Sequence, residues 1–153
     1  MAMTPAMQSR WAEGAEVITV GLPFGAFKLV VGGHLVLAGS GAPGWTLLAV
    51  GAVDTALNLV NLTTVLWTGR RRVPTCLAHA ALGATHRPHV EELALAVDTM
   101  LAFSLVAAMI LIGALPALPP LALAVWNVAV VFNVLGAGGL RLARAISELP
   151  SAK

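Results

Sequence analysis

Four apolar segments constrain the fold of this chain more than any other feature of its sequence. Each has about 20 residues or more, enough to cross a hydrocarbon core of about 30 Å as a helix that rises 1.5 Å per residue. The sequence therefore predicts an all-α membrane protein, a single domain (1–153) in which four transmembrane helices form a bundle. The spans lie at approximately 17–38, 44–68, 93–115 and 118–140.

The composition favours a bilayer as the solvent of this chain. Of its 153 residues, 58% are hydrophobic and only 10% are charged, and the mean hydropathy is +0.87. A soluble domain of this size buries too little surface to hide so many apolar side chains. The arginines are few and lie beside the apolar segments, so we expect no nucleic-acid partner. The single cysteine, Cys76, excludes an intramolecular disulfide.

The distribution of positive charge predicts the orientation. The two hairpin loops, GSGAPG and LPALPP, carry no charge, whereas the middle loop 69–92 and both tails contain all the arginines. The positive-inside rule then places both termini and the middle loop in the cytoplasm. The Ala-, Leu- and Arg-rich composition favours a bacterial inner membrane. We expect Arg70, Arg71 and Arg72 mainly to set this topology and also to contact anionic lipid head groups.

Two tryptophans mark the second span, and the first span has an alternative interpretation. Trp45 and Trp67 are about 33 Å apart along a helix, which places one ring at each membrane interface. Residues 29–42 resemble the apolar core and cleavage region of a signal peptide. That alternative requires an unusually long leading segment that contains Glu13 and Glu16, so a retained first span is the favoured interpretation.

Three acidic or basic residues that are charged at neutral pH lie inside the apolar segments: Lys28, Asp54 and Asp98. A charge at the centre of a transmembrane helix costs about 2.5–3.5 kcal/mol on insertion. Such residues usually face the bundle interior and mark functional sites. At about 100° per residue, Asn58 and Asn61 fall within an arc of about 60° that includes Asp54. We expect this polar stripe on the second helix to line a route for an ion or a proton.

Lys28 is the expected counter-charge of Asp54 across the first hairpin. Its helix face carries glycines, and small residues let a second helix approach closely. Lys28 should therefore face protein rather than lipid. Pro23, in the same segment, is expected to kink the helix or to free a backbone carbonyl. The glycines on the face of Lys28 are Gly21, Gly25 and Gly32.

The polar residues of the third and fourth segments have several candidate partners. Asp98 should lie about 6–8 Å to the cytoplasmic side of its span centre. At that depth it can approach Asn61 or Asn133 rather than Asp54. Asn127 should lie near the centre of the fourth span, about 120° around the helix from Asn133, so the two need not share a partner. We count both asparagines among the candidate site residues, with Asp98 as an inner relay.

The buried charges do not balance, because two aspartates accompany one lysine. Three arrangements restore the balance: a protonated aspartate, a bound cation, or an arginine of the middle loop that reaches Asp98. The first two imply transport chemistry and the third a structural role. The sequence AVDT occurs at 52–55 and again at 96–99, on segments of opposite direction, as in transporters with inverted repeats. In a chain so rich in Ala and Val, chance similarity is the simpler explanation.

The middle loop contains residue types that ligate metals, but not at the spacing of a zinc site, and solvated side chains are the simpler expectation. A catalytic Cys76–His79 pair lacks an evident orienting acid. His34 lies near the outer end of the first span, which disfavours a bis-histidine haem. We therefore predict no metal and no cofactor. The weak metal candidates are His79, His86, His89 and Glu92, with Cys76 and Glu91 nearby.

These features favour a small membrane protein that translocates a proton or a cation and is not an enzyme. Asp54 is the expected carrier and Lys28 its counter-charge. One four-helix bundle leaves little room for a route, so we expect a homo-oligomer or a larger membrane complex. The main alternative is a non-catalytic subunit that stabilises a larger membrane complex through the same polar residues. A membrane enzyme that uses residues 76–92 is a more distant alternative.

Overall fold

The computed structural model describes residues 5–82 and 88–140, with the backbone alone at 5–10, 82, 88–92, 95, 137 and 140. This part of the chain is helical and contains no strand, which confirms the all-α prediction for it. Two π-helical segments, Val17–Gly21 and Val134–Leu140, and a 3₁₀ turn at Leu115–Ala117 interrupt or extend the α-helices. The α-helices are α1 (Pro5–Glu16), α2 (Leu22–Leu37), α3 (Gly41–Thr68), α4 (Leu77–Leu82), α5 (Pro88–Leu111) and α6 (Pro120–Asn133).

Two helices are long and apolar enough to cross a membrane. One runs through Trp11–Leu37 with 27 residues, and the other is Gly41–Thr68 with 28 residues. Among the described residues, two shorter apolar helices follow, Ala96–Leu111 and Pro120–Gly136. The first two predicted spans thus correspond to helices of sufficient length. The four-span bundle and its orientation stay a prediction.

The first long helix contains a π-helical turn immediately before Pro23. Proline has no backbone N–H, so the carbonyl four residues earlier loses its usual α-helical donor. The segment Val17–Gly21 absorbs this loss with wider hydrogen bonding, and the Leu22 N–H donates to the Val17 carbonyl, five residues back. The helical path therefore continues through the proline, from residue 5 to residue 37.

Helix α2 is the centre of the bundle, since it packs against α3, α5 and α6. Its contact with α3 is closest at glycines. A Cβ added at Gly32 would lie 2.7 Å from the backbone nitrogen of Leu48, and one at Gly51 would lie 2.9 Å from that of Leu29. Side chains do not tolerate such distances from a backbone, so both positions require glycine. The close helix approach predicted from the glycine face of α2 is confirmed.

Aromatic side chains fill the space between α2 and the second hairpin. Phe27 packs on Trp126 with ring centroids 5.0 Å apart, and Phe24 meets Phe103 edge to face at 5.8 Å. Phe27 and Trp126 are 1% and 2% exposed. Burial of these large apolar surfaces fixes α2 against α5 and α6.

The chain after α3 turns back along that helix. Gly69 ends α3 in the left-handed conformation (φ 77°), which glycine adopts without a steric cost, and its N–H donates to the Val65 carbonyl. Residues 70–77, the return segment, then lead to the middle of α3, where α4 begins. An extended chain of this length spans about 25 Å, enough to cover half of a 28-residue helix. Part of the predicted loop 69–92 therefore packs beside α3 instead of lying outside the bundle.

Candidate functional site

A lysine lies between two aspartates at the centre of the bundle. The Lys28 ammonium donates hydrogen bonds to Asp54 Oδ2 and to Asp98 Oδ1 and forms an ion pair with each carboxylate. Lys28 is 1% exposed, Asp54 is 2% exposed and Asp98 is 9% exposed. The expected Lys28–Asp54 pair is therefore present. Both aspartates of the repeated AVDT sequence contact the same ammonium, and these three residues form the charged triad.

The prediction that Asp98 approaches Asn61 or Asn133 is wrong. Asp98 instead shares Lys28 with Asp54, since the ammonium contacts a carboxylate oxygen of each. The flexible four-carbon side chain of Lys28 lets the ammonium reach both aspartates, which a comparison of span depths did not take into account. Asp98 lies in the first half of α5, and the bounds of the third span stay a prediction.

Asp54 uses both oxygens of its carboxylate. Oδ2 accepts a hydrogen bond from Lys28, and Oδ1 accepts one from the backbone N–H of Leu77 at 2.6 Å. Leu77 is the first residue of α4, and the leading N–H groups of a helix have no partner within the helix. A carboxylate at this end also interacts favourably with the helix dipole. Asp54 thus fixes the start of α4 beside the charged triad.

Asn61 holds the return segment against α3. Its Oδ1 accepts hydrogen bonds from the N–H groups of Arg72 and Val73, both at 3.2 Å, and its Nδ2 donates to the Val73 carbonyl at 3.0 Å. Backbone groups inside a bundle need such partners, because no water is available in hydrocarbon to replace them. One carboxamide therefore satisfies the irregular backbone that runs beside the helix.

Asn58 binds the same segment closer to the charged triad. Its Nδ2 donates to the Thr75 carbonyl at 2.7 Å and to the Asp54 carbonyl at 2.8 Å. Its Oδ1 is buried and accepts no hydrogen bond from the described residues. Gly21 lies directly against this amide, since a Cβ there would come within 2.1 Å of Oδ1. Asn58 therefore brings an unsatisfied acceptor to the junction of α3, the first π-helical segment and the return segment.

Arg71 anchors the return segment on its other side. Its Nε and Nη2 lie 3.3 and 3.4 Å from carboxylate oxygens of Glu13 and Glu16, and its backbone N–H donates to Glu13 Oε2 at 3.2 Å. Side chains of Arg71, Glu13 and Glu16 are 28–31% exposed. Arg71 therefore does not balance the charge of Asp98, and the two flanking arginines of the run are exposed. These three residues form the Arg71 cluster.

A small cavity lined by both polar and apolar residues, which we call the polar cavity after its charged and amide-bearing residues, lies between the Arg71 cluster and the charged triad. Its volume is about 40 Å³. Glu16 and Arg71 belong to its lining, and so do Asn58 and Asp98, so the cavity joins a partly exposed ion cluster to a buried carboxylate. Its other lining residues are Val17, Val20, Gly21, Phe24, Thr75 and Thr99.

The two asparagines of α6 do not join the charged triad. Asn127 is exposed on the outer surface of the bundle, so its assignment to the site is wrong. The cause is the neighbouring Trp126, which packs inward on Phe27 and so turns the next position, about 100° around the helix, away from the core. Asn133 is 3% exposed, and its Nδ2 has no hydrogen-bond partner among the described residues.

The described part of the cysteine–histidine loop is organised around Thr75. Its N–H donates to His79 Nδ1 at 3.3 Å, and the His79 N–H donates to Cys76 Sγ at 3.4 Å. Burial raises the pKa of the Cys76 thiol above its ordinary value, which disfavours the reactive thiolate. Among the described residues no group of three or more His, Cys, Asp or Glu side chains could hold a metal. His86 and the side chains of His89, Glu91 and Glu92 lie outside the described residues.

Sequence reasoning missed the groups that join the loop to the bundle. The Leu77 N–H binds Asp54, but a backbone donor carries no residue-type signal. The Arg71 cluster had a usable signal, because two glutamates three residues apart precede the first span and a basic run follows the second.

Comparison with known proteins identifies no relative from which a role can be transferred. No protein-family model, curated protein or solved structure matches this chain. The charged triad, the polar cavity and the return segment therefore carry the functional argument.

Proposed function

We propose that the chain is a four-span bundle in a bacterial inner membrane, with both termini and the loop 69–92 in the cytoplasm. The outer surface of the described helices is rich in exposed apolar side chains, including Trp67 (85%), Leu111 (84%) and Leu37 (78%). Soluble monomers rarely present such surfaces to water. Trp45 and Trp67 are exposed near the two ends of α3, which suits the two membrane interfaces.

Within this bundle, we propose that the charged triad carries a proton or a monovalent cation across the membrane. The single observation that carries this proposal is that two carboxylates surround one ammonium in the bundle centre. When all three groups are ionised, the triad has one excess negative charge. An uncompensated charge in a low dielectric is strongly unfavourable, and uptake of a proton or a cation removes it.

The two aspartates have different roles in this mechanism. Asp54 is fully engaged, with one oxygen on Lys28 and the other on the Leu77 N–H, so it positions the lysine and the start of α4. Asp98 contacts Lys28 through Oδ1 and also lines the polar cavity. Asp98 is therefore the carrier, and this assignment replaces Asp54, which the sequence alone favoured.

Occupancy of Asp98 is coupled to the position of Lys28. When Asp98 is neutralised by a proton or a cation, its attraction for the ammonium falls, and Lys28 remains with Asp54. When Asp98 is ionised, the ammonium bridges both carboxylates and draws α5 toward α2. Because one bundle offers little space for a complete route, the assembly is a homo-oligomer or part of a larger membrane complex.

Flux measurements in liposomes test this proposal. The purified protein is reconstituted with a pH-sensitive dye inside, and a potassium gradient with valinomycin drives ion movement. We expect wild-type flux above that of empty liposomes, and flux close to background for Asp98→Asn, because the amide cannot exchange a proton. Asn127→Leu is the matched control, since it alters an exposed polar residue in the same membrane region. Wild-type flux equal to background for both protons and sodium would exclude the proposal.

A second candidate is a non-catalytic subunit of a larger membrane complex, favoured by the exposed position of Asn127. A carboxamide that faces lipid lacks hydrogen-bond partners, and a partner helix supplies them. In that case the protein purifies from its native membrane with a second chain, and Asn127→Leu releases that chain. Purification of an active homo-oligomer without other chains rejects this candidate.

A further inference from the structure

The polar cavity has the properties of a water site. A volume of about 40 Å³ compares with roughly 30 Å³ per molecule in liquid water, so there is room for at least one molecule. Buried waters occupy polar cavities where protein groups lack partners. Here Asp98, Arg71 and Thr99 belong to the lining. Asn58 also lines the cavity, and its Oδ1 accepts no hydrogen bond from the described residues.

The cavity also connects two environments. Its lining includes Glu16 and Arg71, whose side chains are 31% and 28% exposed and form an ion pair. It also includes Asp98, which belongs to the charged triad and whose side chain is 12% exposed. Water in this position therefore contacts both a partly solvated cluster and the carboxylate that carries the excess charge.

We propose that this cavity holds water, which links the Arg71 cluster to Asp98. In this proposal Asp98 takes up a proton, and the water delivers it. The first part rests on the cavity alone, and the second part rests on the proposed transport function. Each water molecule accepts one proton on one side and releases another on the other side, so its own composition is unchanged. The proton ends on the Asp98 carboxylate.

The lining favours a proton over a metal cation. A bound metal ion needs several oxygen ligands arranged around it. The lining contains two acidic residues, Glu16 and Asp98, and each already pairs with a basic side chain, Arg71 and Lys28 respectively. Among the described residues, no group of three or more His, Cys, Asp or Glu side chains could hold a metal ion there. Water and hydroxyl groups, such as those of Thr75 and Thr99, both donate and accept hydrogen bonds, which suits proton relay.

Hydroxyl-radical footprinting tests the water site without any transport assay. Radiolysis oxidises side chains next to bound water, and the core offers a matched pair of phenylalanines. Phe24 lines the cavity and is 4% exposed, whereas Phe27 is 1% exposed, packs on Trp126 and is outside the lining. We expect Phe24 to be oxidised much faster than Phe27 in the full-length protein in liposomes. Equal and slow oxidation of both rings would overturn the proposal.

Flux measurements test the proton route. Thr99→Val keeps the shape of the side chain and removes its hydroxyl, and we expect roughly tenfold slower proton flux, as for the loss of one hydrogen-bonding partner. Thr63→Val is the matched control, because Thr63 is exposed and, within the part of the chain that the structure describes, its hydroxyl bonds back to the Leu59 carbonyl of the same helix at 2.9 Å. Flux carried by sodium, or unchanged proton flux in Thr99→Val, rejects the proton route while leaving transport itself intact. Absence of wild-type flux rejects transport, and the footprint of Phe24 still decides the water site.

Discussion

The two hairpins of this bundle differ in how many hydrogen bonds and ion pairs their polar side chains make, although each contains one buried amide atom without a described partner, Asn58 Oδ1 in the first and Asn133 Nδ2 in the second. The first hairpin consists of α2 and α3. In it Lys28 has two carboxylate partners, and the Asp54 carboxylate accepts hydrogen bonds from two donors. Asn61 binds the return segment through both Oδ1 and Nδ2. In the second, formed by α5 and α6, Asp98 lines a cavity, Asn127 is exposed and the Nδ2 of Asn133 lacks a described partner.

The first hairpin therefore acts as a scaffold, and the second is the part that can respond when Asp98 gains or loses a proton or a cation. The first hairpin is held by backbone contacts at glycines and by hydrogen bonds to the return segment. The second is joined to it through aromatic packing and through the Lys28–Asp98 ion pair. Because elements that move are those with fewer specific contacts, we expect occupancy of Asp98 to alter α5 more than α3.

The largest expected effect comes from removing the charge that joins the two hairpins. Lys28→Met leaves two buried carboxylates without a counter-charge, and we expect it to lower the free energy of unfolding by about 3–5 kcal/mol. Unfolding in mixed detergent micelles, followed by circular dichroism, measures this. Adding Asp98→Asn to Lys28→Met should recover part of the loss, because only one carboxylate then stays unpaired. Wild-type stability in the single variant would show that the triad does not join the hairpins.

The glycine contact within the first hairpin gives the next largest effect. Gly51→Ala places a methyl group 2.9 Å from the Leu29 backbone, and we expect a loss of about 1–3 kcal/mol from overpacking. Gly33→Ala is the matched control on α2, since a Cβ there meets nothing within 4 Å and alanine favours the helix by up to about 1 kcal/mol. The same micelle assay compares the two. Equal stability of both variants would contradict the close packing of α2 and α3.

A local effect is expected where the return segment meets α3. Asn61→Leu removes the acceptor of the Arg72 and Val73 N–H groups, and buried groups without partners cost about 1–3 kcal/mol. Hydrogen–deuterium exchange of these two amides should therefore accelerate by roughly one to two orders of magnitude. Exchange in the centre of α2 should stay as in the wild type. Unchanged exchange of both amides would mean that Asn61 does not hold the segment.

The smallest effect is expected at the outer surface of the second hairpin. Asn127→Leu changes an exposed side chain, and we expect the free energy of unfolding to change by no more than about 0.5 kcal/mol. The oligomeric state, measured by light scattering in detergent, should also be unchanged. A shift to smaller particles would sharpen the comparison, because it would identify this face of α6 as an interface between subunits.

Much of the first hairpin was predictable because its signals are local. The facing of Lys28 and Asp54 follows from helical periodicity and from the cost of a charge in hydrocarbon, and the glycines identify the contact face. Asp98 was assigned other partners because a comparison of span depths did not include the reach of the flexible lysine side chain, which brings one ammonium to both aspartates. Asn127 was misassigned because Trp126 packs into the core and so places the next residue, Asn127, on the outer face of α6. The sequence does not show this, because tryptophan and asparagine both occur on buried and on exposed helix faces.

By itself, the sequence determined the helical class, the apolar surface and an imbalance of charge among a few buried residues, since these depend on composition and on the period of a helix. The tertiary structure alone decided that both aspartates meet one lysine, that Asn58 and Asn61 bind returning backbone, and that a polar cavity reaches Asp98. These features arise from backbone hydrogen bonds and from the relative depth of separate helices. The spacing of residues along one segment determines neither these hydrogen bonds nor the depth of one helix relative to another.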